Sequence, residues 1–362
     1  MSSKKLLNYS DYLKLDSILN SQELKSKERG TPAHDEMLFI VTHQVYELWF
    51  KQLLHEIDSI LNFFSPLKVR ESNVSLAVSR LNRIIEIQKI LIDQIRILET
   101  MTAMDFLEFR DDLFPSSGFQ SAQFRLIENK LGLPFEHRLK YGKKDYKNVL
   151  LKKDKEQVKT SEDQASLFTL IEKWLERTPF LSFEGFDFWK KYSNSVHSML
   201  NKEENSIKKN PNHSSEDILY HLNEHKKASS SFEALIDPDK HNNLIKKKRK
   251  RLSHKATQAA LLIFLYRDEP ILHSPFNLLS RLMTTDELFT NWRQRHALMV
   301  RRMIGVKIGT GGSSGHAYLQ AASEKHKIFS DFADLSTFFI PRSSLPDLPK
   351  NIKERLGYNF KL

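Results

Sequence analysis

The stretch from His34 to Asn62, HDEMLFIVTHQVYELWFKQLLHEIDSILN, predicts a long helix at the centre of an all-α fold. It contains no glycine or proline, and its apolar residues recur at helical spacing on more than one side. One stripe consists of Leu38, Val41, Val45 and Leu48, and a second of Phe39, His43, Tyr46 and Phe50. We therefore expect a helix buried on two stripes, one building a bundle and the other lining a pocket. On this pattern alone, a histidine such as His43 is more often a hydrogen-bonded core residue than a site residue.

A second long helix is predicted from Val74 to Leu98, where apolar residues recur every three or four positions with Gln88 as an interruption. The 362-residue chain has only 11 glycines and 12 prolines, which favours long helices over turn-rich sheets. We predict a large helical bundle built from residues 1–193 and 252–362. Residues 194–251, rich in serine, asparagine and lysine, are predicted to form a small basic helical insert subdomain.

A third apolar helix runs into a glycine-rich loop within Asn291–Leu319, NWRQRHALMVRRMIGVKIGTGGSSGHAYL. At helical spacing, the face of His296 also carries Met299, Val300, Met303 and Ile304. The arginines on the other sides of this helix, Arg293 included, are expected on the protein surface. A lone histidine on such a face is more often a core residue than a ligand, but the glycines that follow allow backbone to approach a ligand closely. No Lys-Ser or Lys-Thr follows these glycines, which disfavours a phosphate loop, and we predict a buried ligand site.

Arg110 lies in the aromatic segment FLEFRDDLF, just before the turn PSSG. A guanidinium among apolar residues needs an anionic partner, since an unpaired buried charge costs several kcal/mol, roughly 3–5 when a partner is removed. Asp111 or Asp112 is one possible partner. The carboxylate of a substrate is the other, because the planar fork of arginine binds a carboxylate through two parallel hydrogen bonds.

The chain has no cysteine, which excludes disulfides and thiolate-bound zinc, iron–sulfur clusters or haem. A tightly bound transition metal would therefore rest on histidine or carboxylate. The first residues, MSSKKLLNYSDYLKLD, lack the apolar core of a signal peptide, and the longest apolar run, Ala259–Tyr266, is far shorter than a membrane span. We expect a cytoplasmic protein without a membrane segment.

The net charge of +11 is concentrated in two regions. Residues 137–160 have nine basic against three acidic side chains, and residues 201–251 have twelve against eight, so together they carry ten of the eleven surplus charges. The run Lys246–Arg251, KKKRKR, has no interleaved aromatic residues of the kind that stack on bases. We interpret these regions as solvated surface and expect no nucleic-acid partner.

Five blocks of the sequence resemble the haem-dependent tryptophan 2,3-dioxygenase family, in its animal-type form. They lie in order over nearly the whole chain: Tyr9–Asp16 (YSDYLKLD), His34–Asp58, Leu98–Asn129, Asn291–Leu319 and Phe329–Arg342 (FSDFADLSTFFIPR). The resemblance implies a dioxygenase that inserts both atoms of O₂ across the indole C2–C3 bond of L-tryptophan, giving N-formyl-L-kynurenine. It also implies one haem b per subunit, held in the large helical domain of a homotetramer.

Position by position, the resemblance makes His296 the axial ligand of the haem iron and His43 the catalytic residue that meets the indole N–H. Arg110 would bind the substrate carboxylate, and Thr310 in the glycine loop the amino-acid end. The other substrate-binding positions that it implies are Phe39, Ile40, Val41, Thr42, Ser117, Tyr9 and Tyr12. The two tyrosines would reach the pocket of a neighbouring subunit. The sequence departs from the family at His316, where an aromatic residue is usual, and at Phe106, where some bacterial members have a hydroxyl.

Three other functions remain open at this point. A haem-binding sensor or carrier would keep His296 but would not need Arg110 and Thr310 together. A bundle with two carboxylate-bridged metal ions would need inward Glu-x-x-His pairs, and the sequence has none at matching positions. A nucleic-acid-binding helical protein is the least favoured, because the surplus charge lies outside the five blocks.

Overall fold

A computed structural model describes residues 6–66, 68–139, 146–178, 181–183, 185–309 and 315–356. In chain order the α-helices are α1 (Tyr9–Leu13), α2 (Leu15–Leu19), α3 (Lys25–Glu28), α4 (Asp35–Phe64), α5 (Glu71–Leu98), α6 (Ala103–Leu107), α7 (Ala122–Leu131), α8 (Lys152–Asp163), α9 (Leu167–Leu175), α10 (Phe188–Lys209), α11 (Ser215–Ile236), α12 (Pro238–Lys246), α13 (His254–Leu265), α14 (Pro270–Ile304), α15 (His316–Lys325), α16 (Ser330–Asp334) and α17 (Lys350–Leu356). The strands β1 (Ser182–Phe183) and β2 (Phe186–Asp187) form one antiparallel hairpin. Short 3₁₀ helices lie at Arg110–Leu113, Gly118–Gln120, Phe135–His137, Tyr146–Val149, Leu335–Phe338 and Arg342–Ser344. The predicted all-α fold is confirmed.

The centre of the bundle consists of α4, α5 and α14, and α5 packs along both of the others. Polar side chains fix their register. Gln88, the interruption in the apolar stripe of α5, is buried and donates from Nε2 to the Thr285 carbonyl of α14 at 2.9 Å. The Tyr46 hydroxyl of α4 donates to the Leu91 carbonyl of α5 at 2.6 Å. These bonds satisfy polar groups that would otherwise destabilise the core.

The two stripes predicted on α4 have different surroundings. Phe39, Tyr46 and Phe50 pack inside the protein, as expected. The prediction was wrong for part of the other stripe: Leu38 packs against the core, but Val41 and Leu48 are 41% and 52% exposed. Gln44, which lies between them on the same side of α4, accepts a hydrogen bond from Gln22 Nε2 at 2.7 Å, so the segment after α2 covers this side only in part.

Two arginines that were predicted on the surface are buried or half-buried. Arg293 of α14 is 4% exposed, because its Nη2 pairs with Glu128 Oε1 of α7 at 3.1 Å. Arg251, which ends the basic run, lies 3.7 Å from the centre of the Phe168 ring and donates to two backbone carbonyls. Residues 246–249 are exposed, as predicted. Periodicity along one helix cannot reveal a partner that another helix supplies.

The predicted insert, residues 194–251, covers most of α10 and all of α11 and α12. Helices α10 and α11 pack together, and Phe232 and Leu235 of α11 join the main core. The division of the chain into a haem domain and an insert stays a prediction. None of the helices in the described ranges has the length and apolarity that a bilayer crossing requires.

Candidate active site

Between α4, α6, α7, α14 and α15 lies a cavity of about 290 Å³. Most of its wall is apolar. The face of α14 on which His296 lies, with Met299, Val300, Met303 and Ile304, lines it along its whole length. The buried face predicted from the sequence is therefore the wall of a pocket.

His296 is a neutral imidazole at this wall. It makes no hydrogen bond with any described residue, and its ring stacks on that of Trp292, with 5.6 Å between the centroids and 14° between the planes. Burial, together with a smaller effect of the nearby His43, lowers the pKa of His296 to about 4. At neutral pH the ring therefore keeps a nitrogen lone pair, which is what an axial metal ligand needs.

Within the described ranges, no three histidine, aspartate or glutamate side chains lie close enough together to hold a metal ion. A metal bound by His296 would thus take its other ligands from a cofactor. The apolar residues on either side of His296 suit a flat, largely apolar cofactor better than a hydrated ion.

His43 of α4 also lines the cavity, four residues after Phe39. Its Nδ1 lies 2.7 Å from the Phe39 carbonyl, and the two rings are 4.1 Å apart at their centroids. Because a carbonyl can only accept a hydrogen bond, Nδ1 carries the proton and Nε2 is left as an acceptor. His43 is exposed in this single chain, but desolvation by the protein around it lowers its pKa, so the neutral form is favoured at neutral pH.

Arg110 lines the cavity from the 3₁₀ helix Arg110–Leu113. Its side chain is 19% exposed, and Nη2 donates to the Ile308 carbonyl at 2.5 Å. The nearest carboxylate oxygen recorded for it belongs to Asp111, at 3.8 Å, and that side chain is 92% exposed. Asp112, the other partner that the sequence left open, pairs with Arg29 instead. Arg110 Nε is buried and makes no hydrogen bond among the described residues.

A cluster of buried charges forms another part of the wall. The Glu128 carboxylate contacts Arg125 Nη1 at 3.0 Å, Arg138 Nη1 at 2.7 Å and Arg293 Nη2 at 3.1 Å, and His326 Nδ1 lies 3.4 Å away. Burial alone would raise the pKa of Glu128, but the guanidiniums hold it well below its usual range. Arg125, Glu128 and Arg293 line the cavity.

Three guanidiniums share this one carboxylate, so the cluster carries an excess of positive charge. Arg125 Nε is buried without a hydrogen bond to any described residue. Buried charge without a counterion is costly, which favours an anionic group at this part of the cavity. The sequence analysis missed the cluster, because Arg125 and Glu128 have the i,i+3 spacing of an ordinary surface pair.

The remaining predicted site residues are distributed as follows. Phe39 and Ser117 line the cavity, as does Phe106, whereas Ile40, Val41 and Thr42 are not among the described residues of its wall. Tyr9 and Tyr12 of α1 are 74% and 69% exposed. Thr310 lies outside the described residues. At the loop end, His316 places Nδ1 3.0 Å from the Ala297 carbonyl.

Comparison with known proteins gives one consistent result. A family model described as tryptophan 2,3-dioxygenase matches residues 1–339. The chain is 49% identical over 354 residues to a tryptophan 2,3-dioxygenase of Bdellovibrio bacteriovorus, covering 98% of this chain and 99% of that protein. It is 48% identical to those of Dictyostelium discoideum, over all of this chain and 90% of that protein, and of Xenopus laevis, over 98% and 87%. The similarity to a bacterial member is thus as high as that to an animal one.

Proposed function

Because this chain belongs to the tryptophan 2,3-dioxygenase family, we propose that its cavity binds both haem b and L-tryptophan, and that His296 is the residue that would hold the haem iron. The reaction of this enzyme family is a dioxygenation, and this chain catalyses it. Both atoms of O₂ enter across the indole C2–C3 bond of L-tryptophan, and the product is N-formyl-L-kynurenine. This is the first step of tryptophan degradation by the kynurenine pathway.

The residues of the cavity fit haem b in three respects. His296 offers a neutral nitrogen that no described residue engages. Met299, Val300 and Met303 offer apolar surface to the ring. The excess positive charge around Glu128 suits the two carboxylates of haem b, and Arg125 and Arg293 are the residues that we assign to them. When bound, the haem supplies the redox-active iron at which O₂ reacts.

We assign His43 to the indole end of the substrate. Its Nε2 is an acceptor, and the indole N–H is a donor, so the two form a hydrogen bond that fixes the position of the ring. The lowered pKa of His43 makes it a weak base, and an indole N–H is a weak acid. His43 therefore serves to orient the indole. Phe39 and Phe106, whose ring centroids are 5.8 Å apart, give the indole an apolar surface.

We assign Arg110 to the substrate carboxylate, because it lines the cavity and Asp111, the carboxylate that pairs with it among the described residues, is solvent-exposed. Ser117 contributes a hydroxyl to the same wall, and we expect Thr310 to hold the amino-acid end. Binding at both ends holds C2 and C3 of the indole in one place. Holding the indole in this way raises the rate because it increases the effective concentration of the reacting atoms. The apolar wall keeps water away from them.

We further propose that the protein is a cytoplasmic homotetramer, in which Tyr9 and Tyr12 reach the pocket of a neighbouring subunit. Two features support an assembly. The tyrosines are largely exposed within one chain, and so are apolar residues on the outer faces of α4 and α5, such as Leu48 and Ile97. Large exposed apolar surfaces are typical of interfaces between subunits.

The observation that carries the proposal is the pair of neutral histidines, His43 of α4 and His296 of α14, that line the same cavity. It is tested by the absorption spectrum of the purified protein and by an assay for N-formyl-L-kynurenine. We expect a Soret band that shifts when L-tryptophan is added, and product that requires both L-tryptophan and O₂. A Soret band and tryptophan binding without product would instead support a non-catalytic haem protein.

A further inference from the structure

The carboxylate of Asp112 lies two residues from Arg110 in the same short 3₁₀ helix, yet it pairs with a different arginine. Arg29 places Nη1 3.2 Å from Asp112 Oδ2, and its Nη2 donates to the Glu108 carbonyl at 2.9 Å. Asp112 Oδ2 is buried and has no well-aligned hydrogen bond among the described residues. The charge of Arg29 is therefore its main compensation.

Arg29 is itself held in place from the opposite side. It follows α3, and its Nε donates to Thr31 Oγ1 at 3.0 Å. The α3 turn is fixed to the start of α4 by Glu36, which is fully buried and accepts from Lys25 N at 2.7 Å and Ser26 N at 3.0 Å. Helix α4 carries Phe39 and His43. Arg29 thus connects the wall that carries His43 with the short helix that carries Arg110.

We propose that Arg29 is a positioning residue for substrate recognition: by pairing with Asp112 it keeps that carboxylate from occupying the Arg110 guanidinium. Without Arg29, the buried Asp112 oxygen would lack a cation, and Arg110 is the next arginine along the same segment. A carboxylate from the same short helix would compete with the carboxylate of the substrate at high effective concentration. This inference rests on the proposed role of Arg110 in binding the substrate carboxylate.

The test uses the haem-loaded protein and compares L-tryptophan with tryptamine, which lacks the carboxylate. Dissociation constants are measured from the Soret shift, and KM and kcat from product formation. We expect Arg29→Gln to raise the dissociation constant and KM for tryptophan about fivefold to tenfold, the effect of one charge-assisted interaction, with kcat at saturation nearly unchanged. Tryptamine binding should change less than about twofold, because no carboxylate is involved.

Two further variants separate competition from general loosening of the fold. Asp112→Asn in the Arg29→Gln background removes the competing carboxylate, and it should restore most of the tryptophan affinity. Arg29→Lys keeps the charge but cannot make both contacts, so its loss should be smaller, about twofold to threefold. Arg342→Gln is the matched control, because Arg342 pairs with Asp268 at 2.6 Å on the surface.

Several outcomes would overturn the inference. One is an equal loss of tryptophan and tryptamine affinity, and another is the absence of rescue by Asp112→Asn. If Arg29→Gln does not hold haem, Arg29→Lys decides the question, and a lysine variant without any tryptophan-selective loss contradicts the inference. Arg110→Ala is tested in parallel. If Arg110→Ala still prefers tryptophan to tryptamine as strongly as wild type does, the proposed role of Arg110 is wrong. If Arg110→Ala loses this preference and Arg29→Gln keeps it, only the proposed role of Arg29 is wrong.

Discussion

The ring of Trp292 stacks on the imidazole of His296 one helical turn later, with 5.6 Å between centroids and 14° between planes. Trp292 Nε1 is buried beside Tyr46 and makes no well-aligned hydrogen bond with a described residue. The orientation of the imidazole therefore depends on ring packing, since no described hydrogen bond fixes it. Both rings line the cavity, which leaves the His296 nitrogen directed by packing and available for a ligand.

His296→Ala should yield protein with little or no haem and no activity, because we assign the iron to His296 and the described residues offer no cluster of metal ligands that could replace it. His43→Ala should keep its haem and lose turnover, since we assign it only to the indole. The measurements are the Soret absorbance per protein and the rate of product formation. Full haem content in His296→Ala, or haem loss in His43→Ala as large as that in His296→Ala, would contradict this assignment.

Arg110→Ala should weaken tryptophan binding by roughly 2–5 kcal/mol, the range for removing one partner of a buried charge pair, with haem content unchanged. The Ile308 carbonyl, which accepts from Arg110 in this structure, can turn to solvent in the variant. Titration of the Soret shift with tryptophan and with tryptamine checks this. Wild-type protein that binds both compounds equally tightly would show that no carboxylate clamp exists.

Much of this site was predictable, because its central helices have strong periodic patterns. The apolar stripe through His296 correctly predicted one face of the cavity, and the pattern Phe39, His43, Tyr46 and Phe50 predicted another. A periodic pattern reports which side of a helix is buried. It does not report what that side meets, so the stacking of Trp292 on His296 could not be foreseen.

What the sequence did not reveal depends on partners that are distant along the chain. Arg293 has the pattern of a surface residue, yet it is neutralised by Glu128, 165 positions away. Likewise, Arg29 compensates Asp112 across two short helices that have no periodic signal of their own. Val41 and Leu48 have the pattern of buried residues, yet both are exposed in this chain. A single sequence holds no information on such pairings.

Glu128→Gln should destabilise the protein strongly, by about 3–5 kcal/mol, because it leaves three buried guanidiniums without their common carboxylate. Chemical denaturation with the midpoint and slope recorded checks the free energy of unfolding. Glu136→Gln serves as the control, since Glu136 forms an exposed pair with Lys248. Equal stability of the two variants would mean that the cluster does not hold the fold together.

Stability should fall as the pH is lowered, in two steps. Burial lowers the pKa of His326, and the arginines lower that of Glu128, so both groups bind protons more readily in the unfolded chain. A group whose pKa is lowered by folding stabilises the folded state at pH values above its pKa in the unfolded chain. This contribution is lost as the pH falls below that pKa. The loss of stability due to His326 should therefore begin below about pH 6.5, and the loss due to Glu128 below about pH 4.3. Urea denaturation of wild type and His326→Gln checks this: a pH slope below 6.5 that is equal in the two proteins would exclude His326 as a cause.

Substitutions at the two ends of the basic run should have different effects on stability. Replacement of residues 246–249 by glutamine should leave stability and turnover nearly unchanged, because these side chains are exposed. Arg251→Gln should cost about 1.5–3 kcal/mol, since its guanidinium donates to the Gly132 and Ile328 carbonyls and stacks on Phe168. Thermal unfolding and retention on a polyanion column check the two variants. An activity loss in the 246–249 variant with haem retained would place that run at the site or at a subunit interface.

Subunit assembly should depend on the exposed faces of α4 and α5. The Tyr46 hydroxyl meets the Leu91 carbonyl, and Gln94 Nε2 donates to the Thr42 carbonyl, so the two helices run antiparallel. The exposed Leu48 of α4 and Ile90 of α5 therefore lie at a similar level of the pair.

Leu48→Lys combined with Ile90→Lys should reduce the tetramer to smaller species, because burying two ammonium groups in an apolar interface is costly. Light scattering after size-exclusion chromatography measures the mass. Leu219→Lys on α11 is the control, since that leucine is 62% exposed and lies on a different helix pair. A double variant that keeps the wild-type tetramer mass would mean that this face is not the interface. A wild-type protein that is monomeric would remove the basis for Tyr9 and Tyr12 reaching a neighbouring pocket.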